Sequence, residues 1–325
     1  MRVGLIGAGF MARVRGKAIQ AAGAEIVAVA ARHAETARAC AEELGCGVWT
    51  DDYRRVADAR PDAVLVEMPH AAQHAIVMWA LAQGLHVLIG GSLAGSSAEG
   101  EEIRDMAAQQ GLVVEAGYQA RYQDLFETVK GMLHDGTIGE LVAVRSIALW
   151  GGDPASWYYD QAMSGGMPLT HMTYGFINPV RWLLDADPLY VSAFANRKKH
   201  IAPQLIAEET CVANLLFPND IPYALTAGFV KPGTLPGWSI TLIGTEGALD
   251  IIPDDMEPGR LTAYHGDTAE PMAFVRDGFT DQAAAFLTSI GGDNVCRNTP
   301  EATLGDLRVA EAIVESAREK RTVEL

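Results

Sequence analysis

A chain of 325 residues exceeds the usual length of one domain and falls short of three, so two domains are expected. Hydrophobic residues at 49% and charged residues at 20% supply a sizeable core and exclude a disordered chain. The 41 acidic against 25 basic side chains leave a net charge of −16, which opposes nucleic acid and the anionic face of membranes, so neither is expected as a partner.

Taken in chain order, short apolar runs alternate with amphipathic, Ala-rich stretches. Strands are expected over Arg2–Ile6, Ala24–Ala30, Val48–Thr50, Ala63–Glu67, His86–Ile89 and Leu112–Glu115. Helices are expected over Phe10–Ala22, Ala34–Leu44, Ala71–Gln83 and Ser97–Gln110, each closing near a glycine: Gly23, Gly45, Gly84 or Gly111. This β-α-β rhythm predicts an α/β chain whose N-terminal domain, residues 1–118, is a Rossmann-type, doubly wound parallel sheet.

After Gly117 the rhythm changes. A helix at Asp124–His134 leads through Asp135-Gly136 into a longer strand, Leu141–Trp150. Runs at Leu189–Asn196, Thr210–Phe217, Tyr223–Phe229, Ser239–Ile243 and Ala248–Ile252 then follow one another across turns. Residues 119–325 are therefore expected to form a C-terminal α+β domain with a large, mostly antiparallel open sheet. Helices near Met167–Leu184, Asp281–Ile290 and Leu304–Lys320 are expected to cover one face of it. The other face is left for a partner copy, as a homodimer or homotetramer.

Cys40, Cys46, Cys211 and Cys296 form no C-x-x-C pair, so reduced thiols are expected, with neither a redox nor a metal role. Gly7, Gly9, Arg13 and Arg15 interrupt the first apolar run before a signal-peptide core or membrane span can form, and a cytoplasmic protein is expected.

Gly7-Ala8-Gly9-Phe10-Met11-Ala12 has the G-x-G-x-x-A spacing of a dinucleotide loop. Alone, that spacing is met by any tight strand-to-helix turn; here it follows a strand, opens a helix and sits inside a β-α-β unit. Gly7 permits the turn, Gly9 lets a pyrophosphate approach the backbone, and Ala12 keeps the helix close to the sheet. The acid that binds the ribose of NAD belongs about 20 residues further on, at the end of the second strand. Ala31-Arg32-His33 stands there instead, with Thr36 and Arg38 nearby, and an arginine beside a histidine suits a 2′-phosphate. NADP(H) is thus the expected cofactor, with NAD(H) possible; the plainer alternative is that Arg32 is a solvated loop residue. Pro69 and His70, at the carboxyl end of the fourth strand, and Gly90 and Gly91, at the end of the fifth, complete the expected cofactor edge. His70 and His74 have H-x-x-x-H spacing but no third ligand, and no metal is expected.

The chain resembles the Gfo/Idh/MocA oxidoreductases, the family of glucose-fructose oxidoreductase and inositol dehydrogenase. The stretches that carry the resemblance are Val3-Gly4-Leu5-Ile6-Gly7-Ala8-Gly9-Phe10, Pro69-His70 with His74, and Gly84-Leu85-His86-Val87-Leu88. They continue with Gly136-Thr137-Ile138-Gly139, Ser164-Gly165-Gly166, Arg181-Trp182-Leu183-Leu184, Gly244-Thr245-Glu246-Gly247 and Arg321-Thr322-Val323. The resemblance implies a pyridine-nucleotide domain followed by an open-sheet domain, acting on sugars, cyclic polyols and related hydroxy or keto compounds. It also implies a Glu-Lys-Pro tripeptide where this chain has Gly90-Gly91-Ser92, and an Asp and a catalytic His where it has His171 and Gly175.

Hydride transfer needs a group to move the hydroxyl proton. His171 is the leading candidate, with Tyr174 at i+3 on much the same helical face and Tyr158 from the preceding segment; each is as readily read as a packing residue. The missing side chains at Gly90 and Gly91 are expected to leave extra room beside the nicotinamide. The expected activity is an NADP(H)-preferring oxidoreductase on a small hydroxylated or carbonyl compound. Its alternatives are a cofactor-binding sensor without redox turnover, or non-redox chemistry with a tightly held nucleotide.

Overall fold

The structure, a computed structural model, describes every residue except 199–205, 207, 231, 232, 235, 236, 255, 294 and 295; at position 171 it describes the backbone alone. The chain divides into two compact units, residues 1–119 with 279–304 and residues 120–278 with 305–325.

The first unit runs β1 (Arg2–Ile6), α1 (Phe10–Ala21), β2 (Glu25–Ala30), α2 (Ala34–Glu43), β3 (Trp49–Thr50), β4 (Ala63–Val66), α3 (His70–Ala82), β5 (His86–Ile89), α4 (Ser97–Gln110) and β6 (Val114–Glu115). The six strands lie in the order β3-β2-β1-β4-β5-β6 and are all parallel, the doubly wound sheet that the β-α-β rhythm predicts. Both faces of such a sheet are covered, which is why β4 is buried at every position and reads as the continuous run Ala63-Val64-Leu65-Val66. The α4 boundaries follow from local chemistry. The Ser96 hydroxyl accepts from Glu99 N at 3.3 Å, the Glu99 carboxylate accepts from Gly95 N at 3.0 Å, and Gly111 closes the helix at φ 66°.

Phe279, Ala283 and Phe286 share a core with Ala12, Ile19 and Leu88. The helix Phe279–Ile290 therefore belongs to the first unit, against α1, and does not cover the second sheet. Its apolar stripe was visible in the sequence, whereas the surface that stripe meets was not.

The second unit runs α5 (Asp124–His134), β7 (Leu141–Leu149), α6 (Gln161–Ser164), a π-helical stretch Pro168–Ile177, α7 (Asn178–Leu184), β8 (Tyr190–Asn196), β9 (Thr210–Phe217), β10 (Ile221–Gly228), β11 (Trp238–Gly244), β12 (Ala248–Ile252), β13 (Arg260–His265) and β14 (Thr268–Ala273). After the helix already described, now α8, come α9 (Pro300–Glu319) and β15 (Val323–Glu324). The nine strands lie in the order β14-β13-β12-β11-β7-β10-β9-β8-β15. Every pair is antiparallel except β7 with β10.

Along β7, Val144, Ser146 and Ala148 are buried while Arg145 and Ile147 are exposed, so one face meets the core and the other meets solvent. The strand register sets Phe194, Val212, Thr226 and Ile147 in one row on the outer face, with Phe194 60% exposed. On the inner side, Asp306 of α9 forms a short ion pair with Arg181 of α7 and accepts from Asn178 Nδ2 at 2.6 Å, while Arg121 Nε donates to Asn178 Oδ1 at 3.0 Å.

Candidate functional site

The dinucleotide loop has the geometry its sequence requires. Gly7 sits at φ +114°, and a Cβ there would run into the carbonyl of Glu67, so only glycine fits. Gly9 is the extended N-cap of α1; a Cβ on it would meet nothing within 4 Å, and no side chain caps the helix. The first N–H groups of α1 thus have no side-chain cap, and the residue before them leaves room for close approach, the two features an anion site at a helix start requires. Phe10 is 65% exposed, Met11 partly buried, and Ala12 is buried against the sheet. Arg13 braces the loop: its Nη1 donates to Ala8 O at 2.6 Å and Gly9 O at 3.3 Å, and its Nε pairs with Glu43 at 2.8 Å. The loop thus fits the phosphates of a dinucleotide.

At the end of β2, Ala31 N donates to Thr50 O at 3.2 Å, and Arg32 and His33 that follow are both exposed. His33 is the N-cap of α2 without using its side chain. Arg38 points along α2 and pairs with Glu42 at 2.8 Å, an exposed contact that holds it only weakly. No carboxylate of the sequence stretch Ala31-Arg32-His33 competes for a ribose hydroxyl.

On the other side of β1, Pro69 caps α3 and His70 is its first residue, buried at 5% exposure. His74 Nε2 lies 3.0 Å from Glu102. Among the described residues no group of three or more His, Cys, Asp or Glu side chains is placed to hold a metal. The segment after β5 is pinned: Gly90 N donates to Val66 O at 2.8 Å, Gly117 N to Gly91 O at 2.7 Å, and Gln73 Nε2 to Ser92 O at 2.6 Å.

Here the structure corrects one expectation. A Cβ on Gly90 would fall inside the carboxylate of Glu67, so the space at that position is filled, whereas a Cβ on Gly91 would meet nothing within 4 Å. The extra room lies at Gly91 only. Glu67, expected only as the last residue of a strand, belongs to this site; its one signal in the sequence is a charge ending a fully apolar run. Its Oε1 lies 2.9 Å from Arg15 Nε, with side-chain exposures of 10% and 4%. Burial, against the opposing pull of Arg15, pushes its carboxyl up to about 7.

In the second unit, Gly165 and Gly166 carry positive φ and lead into the stretch Pro168–Ile177. There the Thr173 hydroxyl donates to Pro168 O at 2.7 Å, and the i→i+5 bonding widens the turn. Position 171 lies on this stretch; its side chain is outside the described residues. Tyr174 lies three positions further along the same stretch. Tyr174 is half-buried. A Cβ on Gly175 would stand 2.9 Å from the Trp238 ring, so an indole occupies the region a side chain there would enter.

Tyr158 is half-buried, stacked on Trp157 at 4.3 Å between centroids and set edge-on to Trp150 at 5.6 Å. Tyr159 is buried, and its hydroxyl is held by Gly152 N at 3.2 Å. Tyr158 with Trp157 thus makes a half-exposed aromatic ledge, and Tyr159 a packing residue beneath it.

Residues 1–118 match the model of an oxidoreductase family with an NAD-binding Rossmann fold, and residues 130–325 match the C-terminal alpha/beta domain of the same family. The chain belongs to the Gfo/Idh/MocA oxidoreductase family. It is 24% identical to inositol 2-dehydrogenase of Rhizobium meliloti (strain 1021), over 100% of this chain and 99% of that one. The fold is shared with aldose-aldose oxidoreductase from Caulobacter crescentus, complexed with glycerol, at TM-score 0.90 and 22% identity over 100% of this chain and 99% of that one. It is also shared with levoglucosan dehydrogenase in complex with NADH, at TM-score 0.88 and 19% identity over 100% and 98%.

Proposed function

We propose that this family member is an NAD(P)-dependent oxidoreductase, preferring NADP(H), which moves hydride to or from a small hydroxylated or carbonyl compound of the sugar or cyclic polyol class. The observation that carries the reading is the uncapped start of α1 above Gly9, joined to an exposed Arg32 where an NAD site would place a carboxylate. The polyol and sugar class is supported by the inositol dehydrogenase relative and by the half-exposed Trp157–Tyr158 ledge, a surface on which the C–H face of a sugar ring stacks. The bound nicotinamide supplies the hydride acceptor or donor. His171, Tyr174 and Tyr158 are our candidates for moving the hydroxyl proton. Two copies meet, in this reading, through the outer face of the nine-stranded sheet, where Phe194, Val212 and Ile147 lie exposed in register.

Titration of the wild type and Arg32→Ala with NADPH and NADH tests the cofactor assignment. NADPH binds more tightly to the wild type, and the substitution removes that preference. Equal binding of both dinucleotides, unchanged by Arg32→Ala, overturns the 2′-phosphate reading. A panel of inositols and aldoses, followed by NADPH absorbance, tests the redox reading. A second reading, nucleotide binding without redox turnover, draws on Trp238 closing the space beside Gly175; binding with no turnover of any panel member selects it.

A further inference from the structure

Glu67 lies at the carboxyl end of β4, immediately beyond the point where the strand order reverses between β1 and β4. A dinucleotide crosses a parallel sheet at that reversal, with its pyrophosphate on the loop after the first strand and its two halves on either side. The adenosine half belongs over β2, where Arg32 is, so the nicotinamide half belongs over β4 and β5. Glu67 adjoins the phosphate loop through its own carbonyl, against which Gly7 is packed, and its carboxylate fills the space beside Gly90 at the end of β5. It is nine-tenths buried, and Oε1 has no hydrogen-bond partner although Arg15 Nε is 2.9 Å away. Arg15 is held independently, with Nη1 donating to Gln282 Oε1 at 2.7 Å and Nη2 to Gly117 O at 2.5 Å. The carboxylate is thus fixed in place by its charge pair with Arg15, whose guanidinium is itself anchored elsewhere.

We propose that Glu67 sets the preference of the cofactor site between oxidised and reduced nicotinamide, its carboxylate stabilising the cationic oxidised ring over the neutral reduced one. The inference rests on the dinucleotide reading above. It does not depend on the 2′-phosphate, because the ring charge is the same in both dinucleotides. At an effective dielectric near 20, one charge several ångströms from another shifts an equilibrium on the order of tenfold or more. Because burial pushes the carboxyl up to about 7, the group changes charge in the neutral range, and oxidised cofactor binds more tightly as pH rises through it. Around Glu67, α1 contributes the charge of Arg15, while β1 and β5 present Gly7 and Gly90, which do not titrate. The other titratable groups of the neighbourhood are His70 at the start of α3 and Glu115 at the end of β6, which accepts from the same Gln282 at 3.4 Å. The Glu67→Gln variant separates their effects from that of Glu67.

Dissociation constants are measured by fluorescence for NADP⁺, NADPH, NAD⁺ and NADH, with the wild type, Glu67→Gln and the exchange variant Glu67→Gly with Gly90→Glu, which returns a carboxyl to the same space from β5. The ratio of oxidised to reduced dissociation constants rises about tenfold in Glu67→Gln, returns toward the wild-type value in the exchange variant, and loses its neutral-range pH dependence in Glu67→Gln. An unchanged ratio in a folded Glu67→Gln protein overturns the proposal. Should that variant not fold, calorimetry of NADP⁺ and NAD⁺ binding to the wild type in two buffers of different ionisation heat decides: proton release supports the proposal, and its absence overturns it. Failure of all four dinucleotides to bind the wild type overturns the cofactor reading together with this one, and is distinguishable from an unchanged ratio.

Discussion

Of the three glycines that stand where the resemblance implies side chains, Gly90, Gly91 and Gly175, two have the space beside them filled, and with opposite chemistry. Beside Gly90 in the first unit stands the carboxylate of Glu67; beside Gly175 in the second stands the indole of Trp238. The first filler is ionisable, nine-tenths buried and paired with Arg15. The second is an aromatic ring packed on Phe176 at 5.3 Å between centroids. The glycine at the parallel-strand end thus borders a titratable group supplied by the neighbouring strand, whereas the glycine on the π-helical stretch borders a packed aromatic ring. Substitution of one side chain therefore says little about the chemistry left behind until the occupant of the freed volume is known.

The comparison is most sharply broken at Arg15. Arg15→Ala removes the counter-charge of Glu67, which then holds its proton at neutral pH, and strips Gly117 O and Gln282 of a donor, so chemical denaturation is expected to show a loss of about 2–3 kcal/mol. A loss below about 1 kcal/mol would show that Gly117 O and Gln282 do not depend on the guanidinium for their hydrogen bonds. The wild type itself reports the enclosure of the Glu67 carboxyl through pH. Glu67 has an ordinary value of 4.5 and a folded value of about 7, so between these the folded state holds the proton that the unfolded state has released. Unfolding free energy therefore falls as pH rises across that window and is level above it, by about 3 kcal/mol from this group. Glu67→Gln removes that segment of the pH profile, and a profile unchanged by the substitution counts against the burial.

How much of this was legible in the sequence follows from the distance over which each feature is specified. The loop Gly7 to Ala12, the helix Ser97–Gln110 and the parallel β-α-β alternation of the first unit are written in neighbouring residues or in short-range periodicity, and all were readable. β14 was not, because Thr268–Ala273 is an exposed edge strand containing Pro271 and has no apolar period. Neither filler was readable: Glu67 meets Gly90 and Arg15 across 23 and 52 positions, and Trp238 meets Gly175 across 63. The widened turn of Pro168–Ile177 also escaped, since an i→i+5 ladder and an α-helix share the same apolar composition over ten residues.

At Gly175 the expected effect is smaller. A methyl group there stands 2.9 Å from the edge of the Trp238 ring, which must tilt away, and Gly175→Ala is expected to cost about 1–3 kcal/mol by thermal or denaturant unfolding. A neutral or stabilising result would show that the indole yields freely and does not close that position.

The smallest effect is expected where neither filler reaches. Gly91 has open space around its would-be Cβ, but its φ of +96° lies in the region that side chains avoid, so Gly91→Lys is expected to cost about 1 kcal/mol through the backbone alone. The substitution restores an ammonium at the position the resemblance assigns to lysine, a residue away from the Glu67-filled space at Gly90. If the room at Gly91 serves ligand entry, turnover of a polyol or aldose substrate falls in the lysine variant while the melting temperature drops by only a few degrees. If turnover rises instead, the position accepts the lysine that the resemblance implies, and the open space at Gly91 is not what admits the ligand.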